Sequence, residues 1–268
     1  MSRGRPLGWP NHQDSHGLAS PFDGSGSVAG LDRGGEPLES PRRRLIASPS
    51  ALSALDTLLF HKPFGVLSQF SPEPASRWGC LGDWISFPGV YPAGRLDADS
   101  EGLLLLTADG RLQQRLTDPR WGHRRTYWVQ VEGEVKEDAL AGLRNGLVIQ
   151  GRRTLPAEAR LLADPGLAER QPPIRERRSI PTAWLEISLR EGRNRQIRRM
   201  TAAVGLPTLR LVRVSIDLLD RQPPLGLEGL APGQWRRPTD SEAERLGRLL
   251  SRPARSGQRT GGIRSGPR

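Results

Sequence analysis

The sequence predicts an α+β fold with a mixed, largely antiparallel sheet flanked by a few helices. Residues Arg125–Glu132 and Trp184–Leu189 alternate apolar and polar side chains, the two-residue period of half-buried strands. Leu58–Phe60 and Leu103–Thr107 are short apolar runs typical of buried strands, and Leu209–Val214 is a further strand. Because strands outnumber helices and several are separated by short turns, antiparallel pairing is favoured.

Four helices are predicted from their periodicity and boundary residues. They span Arg111–Thr117, Glu137–Arg144, Asn194–Val204 and Ser241–Leu250. Gly146 follows the second helix, and Gly205 and Pro207 follow the third, as is common where helices end. The fourth helix has Ser241 as a candidate N-cap with Glu244 three residues later.

The two ends of the chain differ in composition from the middle. Residues 1–52 are rich in Gly, Pro, Ser and charge, so we expect a disordered tail, because such a segment buries too little apolar surface to offset its ordering entropy. Residues 53–238 carry the predicted strands and most of the helices and are expected to form one domain. Residues 239–268 are expected to form a short helix and a flexible basic arm, since five arginines and no acid follow Ser251.

The charge balance predicts a polyanionic partner. The formal net charge is +11 and the isoelectric point is about 11.2, and basic side chains gain free energy by displacing counterions from phosphate. Lys62 and Lys136 are the only lysines, so nearly all of the positive charge is arginine, which forks onto phosphate and stacks on bases. Charge alone is also compatible with a basic soluble protein that carries a basic tail.

Other features exclude several classes of protein. Cys80 is the only cysteine, so the chain forms no intrachain disulfide and no cysteine-rich metal site. The four histidines are scattered, and none has the spacing of a metal ligand. No run of about 18 apolar residues predicts a membrane span, and the first residues lack the apolar core of a secretory signal. We expect a cytoplasmic protein without metal or cofactor.

The most informative segment is an acidic loop, Gly94–Gly102, directly before the apolar strand at Leu103. It contains Asp97, Asp99 and Glu101. Arg95 lies two residues before the first of these acids. A rigid strand behind a polar loop is a common way to hold a reactive side chain at a cleft. Taken alone, the loop is also typical of a cation site or a solvated turn.

A second segment combines a helix with clustered arginines. In the predicted helix at 194–204, the apolar face is formed by Ile197, Met200, Thr201 and Val204. Arg195, Arg198 and Arg199 lie on the opposite face, so the helix offers guanidinium groups to a phosphate while it is anchored in the core. A solvated charged face is the competing interpretation.

A third segment places arginines beside aromatic residues. Strand alternation puts Tyr127 on the same face as Val129 and Val131, so a core position is the simpler interpretation for its ring. Because Arg124 and Arg125 precede it, the tyrosine is also a candidate for stacking on a base.

Together these segments resemble the pseudouridine synthases, specifically the branch that acts on bacterial ribosomal RNA. Its first motif, Gly-Arg-Leu-Asp-x-Asp-Ser-Glu-Gly-Leu-Leu, fits residues 94–104 at every fixed position. Its downstream motif, Glu-Gly-Arg-Asn-Arg-Gln-[Ile/Val]-Arg-Arg-Met, fits residues 191–200, and Lys62-Pro63 with Gly65-Val66 fits the start of the family. The resemblance covers about residues 57–238, and residues 172–182 look like the subgroup that modifies one uridine in 23S rRNA without an N-terminal S4-type domain.

The resemblance implies the pseudouridine synthase fold and a set of site residues. Asp97 is the implied catalytic aspartate, Tyr127 the active-site tyrosine and Arg198 the basic partner of the aspartate. The expected RNA-binding residues are Arg95, Arg125, Arg193, Arg195 and Arg199. The family usually has lysine where this chain has Arg125, which keeps the charge but changes the hydrogen-bond geometry. Whether the aspartate attacks C1′, adds to C6 or removes a sugar proton stays open at this point.

The expected partner is large-subunit ribosomal RNA or a partly assembled subunit, bound by a monomer that has no membrane contact and needs no cofactor. One alternative is a non-catalytic rRNA-binding or ribosome-assembly protein, which explains the charge but not the acidic loop. Another is a carboxylate-dependent hydrolase or phosphotransferase, for which the sequence contains neither a metal cluster nor a phosphate-binding glycine-rich loop.

Overall fold

The computed structural model describes residues 56–174, 177 and 179–251. The predicted disordered tail at 1–52 and the basic arm after Ser251 lie outside the described residues. Within the described part, no helix is both long and apolar enough to cross a membrane.

A single mixed sheet organises the described chain. The strands are β1 Thr57–Lys62, β2 Tyr91–Pro92, β3 Glu101–Thr107, β4 Arg125–Glu132, β5 Val148–Ile149, β6 Arg152–Arg153, β7 Glu158–Leu162, β8 Thr182–Leu189, β9 Thr208–Ile216 and β10 Trp235–Arg236. The main sheet has the order β10-β1-β3-β9-β4-β8-β7, with β2 also paired to β3, and β5 and β6 form a separate hairpin. The β3–β9 pair is parallel and the other strand pairs are antiparallel, which confirms the predicted sheet type.

In the described part of the chain, four α-helices flank the sheet. They are α1 Gly110–Thr117, α2 Glu137–Asn145, α3 Gln196–Ala203 and α4 Asp240–Ser251, and two short 3-10 turns lie at Leu81–Asp83 and Pro119–Trp121. The predicted N-cap of the last helix, Ser241, is wrong. Thr239 takes that position: its hydroxyl accepts a hydrogen bond from the Glu242 amide at 3.3 Å, and the Glu242 carboxylate accepts one from the Thr239 amide at 2.8 Å.

The strands β1 and β3 are buried on both faces, which explains their continuous apolar sequences. Leu58 and Leu104 pack into a cluster on one side of the sheet, whereas Leu59 and Leu103 pack into a cluster on the other side. A third cluster lies around β4, β8 and β9, where Ile197 of α3 contributes from the helix. The apolar face predicted for α3 is therefore in the core.

The parallel pairing of β3 with β9 determines what the acidic loop faces. Gly102 pairs with Arg213, and its φ of +108° lies in the region that favours glycine. A Cβ at Gly102 would lie 2.2 Å from the carbonyl oxygen of Arg213, so no side chain fits there. Because the two backbones approach this closely, the loop that ends at Gly102 lies directly beside β9.

Candidate active site

A cleft of about 420 Å³ opens at the edge of the acidic loop. It is bounded by five parts of the chain: the loop at 94–100, the end of α1 with Thr117 and Pro119, strand β4, strand β9 and the segment 189–197 that leads into α3. The acidic loop and the arginine-rich segment, separated by about a hundred residues in sequence, therefore line one cavity.

The backbone on both sides of Asp97 is fixed by hydrogen bonds. The buried hydroxyl of Ser68 donates to the carbonyl of Leu96 at 2.8 Å and accepts from the amide of the same residue at 3.0 Å. The amide of Gly65 donates to the carbonyl of Ala98 at 2.8 Å. The Asp97 side chain, 33% exposed, lines the cleft, so its carboxylate is held on a rigid backbone and remains open to a ligand.

Arg195 is the cation that contacts Asp97. Its Nη1 lies 3.6 Å from Oδ2 of Asp97, and its guanidinium also forks onto the carboxylate of Asp99 at 3.1 and 2.8 Å. The helix α3 begins at Gln196, later than the predicted Asn194, because Arg195 has a left-handed backbone with φ of 51°. This strained conformation turns Arg195 out of the helix and toward the two acids.

Arg198 does not make the predicted contact with Asp97. Its Nη2 donates to the carbonyl of Asp99 at 2.7 Å, and its Nε lies 3.5 Å from Oδ2 of the same residue. The reason is the late start of α3, which leaves the position nearest Asp97 to Arg195.

Burial alone would raise the pKa of Asp99, but hydrogen bonds from Arg195 and the charge of Arg198 lower it below its usual value. Burial lowers the pKa of Arg198.

Tyr127 lies on β4 and fits both sequence interpretations. Its half-buried side chain packs against two of the core clusters and also lines the cleft. In the sheet it is paired with Arg213 of β9 on one side and Ile187 of β8 on the other. A ring in this position has one part anchored in the core and another available to a base.

Four of the five predicted RNA-binding arginines line the cleft. They are Arg95, Arg125, Arg193 and Arg195. The guanidinium of Arg193 also donates to the carbonyls of Arg152 and Arg153, which attaches the β5–β6 hairpin to the edge of the cleft. Arg199 lies outside the lining and donates instead to Gln150 and Asn194.

Several residues near the cleft have structural roles that the sequence did not predict. Glu101 is buried and accepts two hydrogen bonds of 2.9 Å from Arg210, so this acid is part of the internal structure. Burial lowers the pKa of Lys62 to about 7, and its ammonium donates to the carbonyl of Val66 at 2.7 Å. Arg213 lines the cleft from β9. Arg210 and Arg213 could have been noticed in the sequence as two arginines within the largely apolar strand β9. Their three-residue spacing puts their side chains on opposite faces of the sheet.

Comparison with known proteins identifies a family for this chain. The family model for RNA pseudouridylate synthase matches residues 56–203. A protein of Xanthomonas campestris named ribosomal large subunit pseudouridine synthase E is 53% identical over 180 residues, which cover 67% of this chain and 93% of that protein. A protein of the same name from Vibrio vulnificus is 48% identical, over 69% of this chain and 76% of that protein.

Similarity extends to solved structures. One described as a crystal structure of pseudouridylate synthase aligns with a TM-score of 0.57 and 28% identity, over 71% of this chain and 73% of that one. The family model and the similar fold thus define an enzyme that modifies RNA. The chain belongs to the RNA pseudouridylate synthase family.

Proposed function

We propose that this chain isomerises one specific uridine to pseudouridine in large-subunit (23S) ribosomal RNA, with Asp97 as the catalytic carboxylate. The observation that carries the proposal is the placement of Asp97. Its carboxylate lines the cleft on a clamped backbone, with the guanidinium of Arg195 3.6 Å away. The relatives named ribosomal large subunit pseudouridine synthase E support the choice of substrate.

The reaction breaks the N1–C1′ bond, rotates the uracil and forms a C5–C1′ bond. C5 releases its proton to solvent and N1 takes up a proton, so the product is an isomer of the substrate. Nothing is oxidised or consumed, so the chain's own side chains have to orient the nucleotide and handle the proton. C6 and C1′ are blocked while the base is stacked in a helix, so the target uridine is unpaired or extruded into the cleft. The cleft volume of about 420 Å³ is of the size that small ligands occupy.

The neighbouring residues have separate roles in this proposal. Tyr127 stacks on the extruded uracil, with its hydroxyl available for proton transfer. Arg195 pairs with the catalytic carboxylate, and Arg198 is a positioning residue that acts through the backbone and carboxylate of Asp99. Arg95 and Arg193 bind the RNA backbone around the target.

Outside the cleft, we propose that the arginines of the basic arm at residues 252–268 add electrostatic affinity for RNA. The protein is proposed to act as a cytoplasmic monomer on free rRNA or a partly assembled subunit. A decrease in the salt dependence of RNA binding after removal of residues 252–268 would support the role of the arm.

The proposal is tested by Asp97→Asn in the full chain. Tritium release from 23S rRNA transcribed with 5-tritiated uridine should be abolished, while RNA affinity stays within about tenfold, or about 1.4 kcal/mol. Asp138→Asn is the matched control, because this exposed acid lies in the first turn of α2, and its turnover should equal that of the wild type.

Retained turnover in Asp97→Asn would contradict the assignment of the catalytic residue. If the unaltered protein binds 23S rRNA but releases no tritium, the alternative of a non-catalytic rRNA-binding protein is favoured instead.

A further inference from the structure

A buried arginine, Arg213, and a half-buried one, Arg125, line the cleft without an acidic partner among the described residues. Arg213 of β9 is 3% exposed, and its Nε donates to the carbonyl of Leu103 at 2.7 Å. Its Nη2 is buried and has no hydrogen-bond partner in the described part of the chain. The Arg125 guanidinium of β4 donates to two backbone carbonyls, those of Leu116 at 2.7 Å and His123 at 3.5 Å.

The two guanidinium groups are close enough to repel each other. Arg213 pairs with Tyr127 across the β4–β9 ladder, and Arg125 lies two residues before that tyrosine on the same face of β4. Burial lowers the pKa of Arg125, and the charge of Arg213 lowers it further. Desolvated like charges are unfavourable unless an anion joins them, so a bound anion would stabilise this pair of guanidinium groups.

Ser100 supplies a further unsatisfied group at the same cleft. Its residue is 1% exposed, it lines the cleft, and its buried hydroxyl has no hydrogen-bond partner among the described residues. Buried polar groups without partners are rare in folded proteins and concentrate where a ligand or water completes them. Two such groups, from Ser100 and Arg213, are therefore brought to one cavity.

The position of Arg213 is fixed by the fold. Its backbone is held against Gly102, where a Cβ would clash, and its Nε is tied to the first buried leucine of β3. The guanidinium is thus preorganised beside the loop that carries Asp97, and binding an anion requires little rearrangement.

We propose that Arg125 and Arg213 form an anion-binding subsite that holds one backbone phosphate of the RNA at the target nucleotide, with the Ser100 hydroxyl as an additional donor. This inference rests on the proposed function, because the substrate RNA supplies the phosphate. Two desolvated positive charges match a full negative charge better than a neutral uracil carbonyl, and guanidinium groups fork onto phosphate oxygens.

The test is the salt dependence of RNA binding by Arg213→Met, measured with the full chain and a 23S rRNA transcript. Loss of one phosphate contact should weaken binding about tenfold near physiological salt and reduce the slope of log affinity against log salt concentration by about 1. Because both arginines hold the same phosphate, Arg125→Met combined with Arg213→Met should reduce the slope by no more than the single variant does.

The matched control is Arg160→Met, which removes the same charge from β7 on the other face of the sheet, where Arg160 pairs with Glu186. Its affinity and salt slope should equal those of the wild type. Arg213→Lys keeps the charge without the planar fork, so its salt slope should be retained while its affinity falls.

Thermal unfolding separates binding from a structural role. Removal of a buried unpaired charge in Arg213→Met should leave the melting temperature unchanged or higher. A lower melting temperature with an unchanged salt slope in Arg213→Met would overturn the subsite. A slope loss of about 2 in the double variant would also overturn it, because that loss indicates two separate phosphates. If the wild-type protein binds RNA with the expected salt slope but forms no pseudouridine, the proposed function is contradicted and the subsite is not. If the wild-type protein forms pseudouridine but the salt slope of Arg213→Met is unchanged, only the subsite is contradicted.

Discussion

Ser68→Ala should lower both the stability of the protein and its rate of pseudouridine formation. The hydroxyl of Ser68 is the partner of the amide and the carbonyl of Leu96, and both residues are buried. Without it, one donor and one acceptor are left unsatisfied, each costing about 1–3 kcal/mol, and we expect a combined loss of about 2–4 kcal/mol after partial relaxation. With a urea m-value of about 2 kcal/mol/M, the unfolding midpoint should fall by about 1–2 M.

The rate effect follows from the position of Leu96 next to Asp97. A carboxylate displaced by about 1 Å reacts up to about 100-fold more slowly, so the maximal rate of tritium release at saturating RNA should fall well beyond the loss in RNA affinity. Ser188→Ala is the control, since this buried serine hydroxyl bonds to the Thr126 hydroxyl at 2.9 Å, away from the acidic loop. An unchanged midpoint and an unchanged maximal rate in Ser68→Ala would refute the idea that this hydroxyl clamps the loop.

Two further predictions concern charged groups around the cleft. Arg210→Met leaves the buried carboxylate of Glu101 without its two hydrogen bonds and should destabilise the protein by about 3–5 kcal/mol in urea unfolding. Restored stability in Arg210→Met combined with Glu101→Leu would support this cause, and no recovery would contradict it. The lowered pKa of Asp99 stabilises the folded protein above the unfolded-state pKa, and this contribution disappears as pH falls through the folded-state pKa. The unfolding free energy of Asp99→Asn should therefore fall less between about pH 5 and 3 than that of the wild type, and parallel profiles would contradict this.

The sequence was most informative where one pattern dominated. The bounds predicted for Arg125–Glu132 match β4, because alternation extends over the whole strand. The strand β7 at Glu158–Leu162 was missed, since its burial does not alternate and Leu161 is 57% exposed. Short strands such as β2 and β10 depend on their partners in the sheet, so local sequence alone does not identify them.

For the site, the sequence indicated which segments are involved but not which side chains contact each other. Asp97, Tyr127 and the arginine-rich segment lie in the motifs that carry the family resemblance, and residues from all three line one cleft. The sequence did not anticipate that Arg195 leaves the helix and takes the contact expected of Arg198, since a left-handed backbone at a non-glycine residue is set by tertiary contacts. Arg213 was not identified because the sequence does not show that its Nη2 is buried without a hydrogen-bond partner among the described residues.

The parallel pairing of β3 with β9 also determines when the cleft is completed during synthesis of the chain. The bond from Arg213 to the carbonyl of Leu103 spans 110 residues, so its closure carries a large entropic cost that local contacts do not repay. A nascent chain that has been translated only as far as α3 already contains the acidic loop and Tyr127. It does not yet contain β9, which forms one wall of the cleft. The cleft is therefore complete only after β9 has been translated and has docked beside β3.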